Sequence, residues 1–403
     1  MNTISAITTE RLRALIAEEV DHLTAVRHDL HAHPELGYAE HRTSGVVQRE
    51  LDAAGVSYVP GVARGTGVIG HLPGEDNHAT GLRADMDALP IVEETGLDYA
   101  STTPGCMHAC GHDGHTTILL GAARVLSRIA AETPLPRPVT FCFQPAEEGG
   151  AGGRAMVEDG CLDGSKIGPA VSHMFGLHGW PQFELGTVST RPGPMLAAAD
   201  MFEVEIRGTG AHAAYPHVSH DPIVCAATMI SAAQQLVSRG VDPLDSAVVS
   251  ITKINGGTAH NIIPQSVSLL GTVRTLQEET KRTIVARLHD IVEHTARAHG
   301  CTGSLKYHDG YPVTKNDSGA VDIFNRIAVE ALGESRVPLL EQPVMGGEDF
   351  SFYCHQVPSC FFALGLRPET ADEMPDLHQP TFDFNDDAIP VGVEMFCRLA
   401  LRN

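Results

Sequence analysis

The sequence predicts an α/β protein: a mostly parallel sheet with helices on both faces, interrupted by a smaller inserted α+β domain. Three observations lead there. At 403 residues the chain is long for one hydrophobic core, so two domains are expected. Strand-like and helix-like patterns alternate along both ends of the chain, the signature of parallel strands joined by crossover helices. Near Arg191-Pro-Gly-Pro194 the texture changes, and a β-α-β-β-α-β order follows, which is a complete two-layer unit. The domains are therefore expected at 1–190 with 313–403, and at 191–312 for the insertion.

The first elements are helical. Leu12, Leu15, Ile16, Leu23, Val26 and Leu30 recur at helical spacing over residues 8–31, with Thr8 or Thr9 as the cap. Pro34 ends that helix, and a second is expected from Thr43 to Ala54, stopped by Gly55. Gly65-Thr-Gly-Val-Ile-Gly70 matches a dinucleotide-binding spacing, but Leu72-Pro-Gly74 places a turn where that motif needs a helix. A glycine-rich strand pair is the better reading. Gly81-Leu-Arg-Ala-Asp-Met-Asp87 reads as a strand with acidic residues at its carboxyl end, where ligands of open α/β sheets gather.

Thr116 to Ala131 reads as a helix, Val139 to Phe143 as a buried strand, Gly152 to Asp159 as a helix, and Val171 to His178 as a strand ending in histidine. In the insertion, strands are expected at Met201 to Arg207, Ala247 to Ile254, Ser266 to Arg274 and Ser304 to His308. Helices are expected there at Pro222 to Ser238 and Glu278 to Ala298. Beyond it come a helix from Gly319 to Leu332, a strand from Cys360 to Leu364 and a closing helix near Asp387.

Composition narrows function. With 28 basic against 50 acidic residues the net charge is -22, which disfavours nucleic-acid or anionic membrane partners but leaves room for a small anionic substrate. Met1 to Val20 carries Glu10, Arg11, Arg13, Glu18 and Glu19, without the apolar core of a secretory leader. No window approaches the roughly 18 apolar residues of a membrane span. Nine scattered cysteines without a leader are expected to be reduced and mostly buried, in a cytoplasmic protein.

The chemistry concentrates in two stretches. Cys106-Met-His-Ala-Cys-Gly-His-Asp-Gly-His115 combines thiols, imidazoles and a carboxylate, and Gln144-Pro-Ala-Glu-Glu-Gly149 sets two carboxylates directly after an apolar strand. Cysteine, histidine and glutamate together suit a borderline cation such as zinc or manganese, with cobalt or nickel as further options. Cys110 and His112, one glycine apart, can reach one ion; the bland alternative is a buried thiol beside an unrelated histidine. Glu147 and Glu148 point in different directions if extended, which suits one ligand and one general base. Solvated glutamates are the alternative, and Pro145 after an apolar strand disfavours it. His178 and His378 each follow a leucine, and either alone would be an ordinary structural histidine. With the other three they complete a set sufficient for two divalent metal ions sharing a water.

Together these residues resemble the amidohydrolase branch of the aminoacylase and carboxypeptidase metallopeptidase family, which includes hippurate and auxin-conjugate hydrolases. The likeness runs from Leu30-His-Ala-His-Pro-Glu-Leu-Gly37 through the Cys110 and Glu147 motifs. It continues through Gly208-Thr-Gly-Ala-His-Ala-Ala-Tyr-Pro-His217, Ala259-His-Asn-Ile-Ile-Pro264 and Met345-Gly-Gly-Glu-Asp349 to His378.

The resemblance implies metal-dependent hydrolysis of N-acyl-L-amino acids to a carboxylic acid and a free amino acid. It implies Cys110, His112, Glu148, His178 and His378 as metal ligands and Glu147 as general base. His212 would stabilise the oxyanion from a partner subunit, so that the insertion serves as lid and dimerisation domain of a homodimer or larger homo-oligomer. A surface histidine in a glycine-rich turn is the alternative for His212. Asn261 and Arg274 would hold the substrate carboxylate, and Gly346 and Gly347 would let backbone approach the acyl group. The related peptidases carry a histidine ligand where this chain has Asp85, which leaves that residue open; Asp87 is expected to support the ligands from behind. His31, His33, Glu35 and Cys106 are read as structural. A dipeptidase or carboxypeptidase on the same centre is the alternative enzyme, and no motif supplies its acidic group for a free ammonium. A non-catalytic binder would be expected to lack a ligand or the base, and every position is filled.

Overall fold

A computed structural model of the chain describes residues 7–402. Residues 1–6, where part of the leader-free stretch was expected, lie outside the described residues. Two compact units divide the chain: Met1–Met195 with Lys315–Gln342 and Asp349–Asn403, and Leu196–Thr314 with Pro343–Glu348.

The first unit is built on a seven-stranded sheet. Its order is Ser57–Val62, Gly67–Leu72, Val139–Gln144, Ala79–Asp85, Val171–Glu184, Ser359–Arg367 and Val188–Ser189. The four strands from Val139–Gln144 to Ser359–Arg367 run parallel to one another, and the flanking strands are antiparallel. Ala79–Asp85 is buried at every position, as a strand covered on both faces must be. The glycine-rich stretch around Gly65–Gly70 joins and forms the antiparallel pair of the sheet edge, with only the single 3-10 turn Ala63–Gly65 before it and no α-helix following the glycines.

Helix His112–Glu132 lies against the first helix, Thr9–Ala32, and the last, Ile389–Ala400. Leu12, Leu15, Ile16, Leu23, Val26 and Leu30 of the first helix are buried, and the Thr8 side chain caps it by accepting from Arg11 N at 3.2 Å. Burying a core side chain such as Leu119 contributes roughly 1.5–3 kcal/mol. The polar residues of the His31–Glu35 stretch have structural partners. Glu35 accepts from Arg42 N and Thr43 N, capping helix His41–Ala53, and His31 is buried between Asp113 and Glu93. Eight of the nine cysteines are buried.

Three local expectations need correction. The helix expected from Thr116 begins at His112, because Gly111, at φ 82°, supplies a left-handed turn that lets the helix start at once. The strand that delivers His178 does not end there but continues to Glu184. Glu147 and Glu148 stand in an irregular turn, Glu147–Gly150, entered through left-handed Ala146 (φ 52°), and not at an extended strand end.

The second unit has a four-stranded antiparallel sheet in the order Ala247–Gly256, Ser266–Thr275, Ala198–Arg207, Thr302–Tyr311. Buried and exposed residues alternate along Ala198–Arg207, so one face is covered. Helices Pro222–Ala233 and Glu278–Ala298 share its core with Phe202, Val204 and Ile206. The first of these helices stops at Ala233, short of the expected Ser238, and a separate turn Gln235–Ser238 follows. The unit also takes in Pro343–Glu348, which the pattern reading left with the other domain: Leu196 bridges Val344, and Ala197 N donates to Gly346 O at 2.9 Å. Such a short non-periodic segment carries no mark of its partner in the sequence. Among the described residues no helix is long and apolar enough to cross a membrane.

Candidate metal centre

Cys110 and His112 flank Gly111, and their side chains meet His178 from the parallel strand: the three ligand atoms lie within 4.8 Å of one another. Cys110, Glu148 and His378 form a second such group, and His112, Glu147 and Glu148 a third. The five expected ligands and the expected base are thus one connected cluster in the first unit. Cys110 Sγ is 3.4 Å from His178 Nε2 and 3.3 Å from His378 Nε2, which is itself 3.1 Å from Glu148 Oε1. His378 adopts φ 65°, a costly conformation for histidine, and its N–H donates to Ala109 O at 2.8 Å.

Hydrogen bonds set which imidazole nitrogens carry lone pairs. His112 Nδ1 donates to Asp87 O at 2.9 Å and His178 Nδ1 donates to Gly179 O at 2.8 Å, since a carbonyl only accepts. His178, held neutral, therefore turns Nε2 to the cluster as an acceptor, and His112 does so when its ring is neutral. His112 Nε2 is buried without a hydrogen-bond partner, an arrangement that costs free energy unless a cation occupies the space before it. The donor set and this orphaned atom fit divalent metal ions.

The electrostatics agree. Burial, then Glu148, Glu147 and Asp85, push the Cys110 thiol well above its ordinary range, so only a cation would make it a thiolate. Burial, with His115, holds His178 well below the ordinary histidine range and keeps it neutral. Burial opposes charge on Glu148 and on His112 also. The hydrogen bond from His378 nevertheless lowers Glu148, and Asp85 and Asp87 raise His112 to about 10. Acid therefore competes with metal for His112.

Asp87 stands behind the cluster. Its Oδ1 accepts from Glu147 N and its Oδ2 from Glu148 N, each at 2.9 Å. Pattern reading missed the layer beneath. Arg83, fully buried, donates to Gln144 Oε1 (2.8 Å), Asp85 Oδ2 (2.7 Å) and Asp349 Oδ1 (2.8 Å), and Asp349 also receives Gly153 N at 2.7 Å. The available signal was an arginine and an aspartate on one side of an otherwise apolar strand, which a sheet interior tolerates only when paired. Cys106 is buried and burial raises its thiol to about 11, in keeping with an inert residue.

His212, Asn261, Arg274 and Gly346 all belong to the second unit. His212 is exposed, pairs with Ile262 across a two-residue ladder, and accepts from Ala214 N at 3.1 Å. Asn261 and His212 line one open concavity of about 1060 Å³. Arg274 lies outside it, on the strand Ser266–Thr275. A Cβ at Gly346 would meet nothing within 4 Å, whereas one at Gly347 would lie 2.7 Å from Ala199 Cβ and 3.1 Å from Arg274 Nη1. Of the two glycines, Gly347 is the one its surroundings require.

Known proteins share this architecture over its length. The chain is 40% identical over 387 residues to IAA-amino acid hydrolase ILR1-like 4 of Arabidopsis thaliana, covering 95% of this chain and 86% of the relative. It is 40% identical over 369 residues to the N-acetyl-L-cysteine deacetylase of Bacillus subtilis (strain 168), covering 91% and 84%. The crystal structure of the Bacillus subtilis YXEP protein, described as a dinuclear metal binding peptidase, superposes with TM-score 0.81 at 34% identity, covering 96% of this chain and 98% of that one. The model of peptidase family M20/M25/M40 matches residues 81–402. Cluster, fold and relatives lead to one assignment: the chain belongs to peptidase family M20/M25/M40 and is a hydrolase acting on amides, with divalent metals at its centre.

Proposed function

We propose that the protein hydrolyses the amide bond of N-acyl-L-amino acids, releasing a carboxylic acid and a free amino acid. The observation that carries this reading is the placement of Glu147 within 4.8 Å of ligand atoms of His112 and Glu148, with His112 Nε2 buried and unpartnered. Relatives whose names specify IAA-amino acids and N-acetyl-L-cysteine as substrates support the substrate class.

In this reading Cys110, His112, Glu148, His178 and His378 hold two divalent ions, manganese or zinc first and cobalt or nickel as alternatives. Bound there, such ions polarise the substrate carbonyl and lower the pKa of water. Glu147 removes a proton from the attacking water and returns it to the departing amine nitrogen. His212 donates a hydrogen bond to the oxyanion, reaching it from the neighbouring subunit of a homodimer. Asn261 and Arg274 receive the substrate carboxylate, and Gly346 leaves room for the acyl group. The insertion serves as lid and dimerisation domain, and the enzyme works in the cytoplasm on a small-molecule substrate, without nucleic-acid or membrane partners. A dipeptidase is the second reading; it rests on the same centre.

The test is hydrolysis of acetyl, benzoyl, indolylacetyl and long-chain N-acyl amino acids by chelated enzyme, with manganese or zinc restored. Cleavage that returns with metal is the expected result. Two bound metals with no cleavage of any member, but release from dipeptides, would replace this reading with the peptidase.

A further inference from the structure

Two buried residues beside the cluster have no role in the chemistry above. His115 is fully buried, one helical turn beyond His112. Its Nδ1 is 2.7 Å from Asp85 Oδ1, and its Nε2 is 2.7 Å from the backbone nitrogen of Gly179. A backbone N–H can only donate, so His115 Nε2 carries a lone pair, its proton sits on Nδ1, and Asp85 accepts that proton's hydrogen bond. The other peptide group of Gly179 continues the path. Its carbonyl accepts from His178 Nδ1 at 2.8 Å, which turns His178 Nε2 toward Cys110 Sγ, 3.4 Å away. Asp85 has no oxygen free of protein partners: Oδ1 faces His115, and Oδ2 accepts from Arg83 Nη1 at 2.7 Å.

We infer that Asp85 and His115 are positioning residues, which orient the ligand histidine His178 through the peptide groups of Gly179, and that Asp85 serves the centre by this path and not as a metal ligand. The sequence left the role of Asp85 open, and this chain of donors and acceptors closes it. Both nitrogens of His115 are paired, with opposite polarity, and Gly179, held by one of them, commits His178 Nδ1 through its carbonyl and leaves His178 Nε2 facing Cys110.

The inference rests on the metal-centre reading, and its test separates the two. Glutamine at position 115 keeps an acceptor near the Nε2 position and loses the Asp85 contact, whereas asparagine keeps a group near Nδ1 and loses the acceptor for Gly179. His115→Asn is expected to weaken metal binding about 10–100-fold in chelator competition, and to change the visible absorption of the cobalt-loaded protein. His115→Gln should retain more affinity and a spectrum closer to that of the unaltered protein. Asp85→Asn should weaken binding in the same direction while cobalt absorption keeps the same number of ligands. Equal affinities and spectra for His115→Asn and His115→Gln, both folded by circular dichroism, would overturn the path. If His115→Asn does not fold, Asp85→Asn decides: an unchanged affinity and spectrum overturns the inference, and a loss of one cobalt ligand makes Asp85 a ligand instead. Failure of the unaltered protein to bind any divalent metal would defeat the metal-centre reading itself.

Discussion

The carboxylate of Asp87 straddles the backbone entering Glu147, with one oxygen on the N–H of Glu147 and the other on the N–H of Glu148, both at 2.9 Å. One buried side chain thus sets the direction in which both glutamates leave the turn. Asp87→Asn replaces an acceptor with a donor facing an N–H. The expected cost is about 1–3 kcal/mol of stability, with metal affinity reduced about 10–100-fold. Denaturant titration and chelator competition measure the two losses; unaltered metal affinity in the folded variant would remove Asp87 from the support of the centre.

Glu147→Gln should bind metal in the usual stoichiometry while kcat falls about 10²–10⁴-fold, the range for loss of a general base. His212→Ala should also keep its metal and lose turnover, by about 10²–10³-fold. Co-refolding the two variants gives hybrids with one intact site if His212 acts across subunits, so activity should partly recover. Verified hybrids with no recovery would place His212 in its own subunit's chemistry or outside catalysis.

His31 links stability to pH. Burial opposes its charge, but hydrogen bonds to Asp113 and Glu93 outweigh burial and raise it from 6.5 to about 9. A raised pKa means the folded state binds the proton more tightly than the unfolded chain. The resulting stabilisation, on the order of 3 kcal/mol, is fully present below about pH 6.5 and is lost as pH rises through about 9. Denaturation midpoints across that window should fall for the unaltered protein and much less for His31→Gln. A parallel fall in both would assign the pH dependence to other groups.

Gly347→Ala places a methyl group 2.7 Å from Ala199 Cβ and 3.1 Å from Arg274 Nη1. Backbone or Arg274 must shift, at about 1–3 kcal/mol. If Arg274 holds the substrate carboxylate, KM should rise more than kcat falls. Gly346→Ala meets nothing within 4 Å and should fold as stably as the parent. Thermal melts and steady-state kinetics on the pair decide, and equal behaviour of the two variants would contradict the packing argument.

Much of the fold is legible in the chain because its elements are strongly periodic. The first helix shows its buried face in Leu12 to Leu30, and the strand Ala198–Arg207 shows its face by alternation. Boundaries failed where backbone geometry, not side-chain pattern, decided them. Gly111 starts a helix at His112 through a left-handed turn, and left-handed Ala146 takes Glu147 and Glu148 off the strand into an irregular turn. Alanine in that conformation carries no compositional mark, since glycine or asparagine would be the expected residues. Pro343–Glu348 packs with Leu196–Thr314 for a similar reason, which the sequence does not display: one bridge to Leu196 leaves no periodicity.

The sequence by itself determined which donor types exist and that an acidic strand end, a Cys-Gly-His stretch and paired glutamates follow one another in an α/β order. Composition and local spacing suffice for that, because side-chain chemistry and periodicity are local properties. Only the tertiary structure decided that Cys110 meets His378 across 268 positions, that Asp87 holds two amides of a distant turn, and that Asp85 answers to His115 and Arg83. Those pairings arise where buried polar atoms must find partners among whatever the packed sheet brings close, and that demand is met in space without leaving a repeat along the chain.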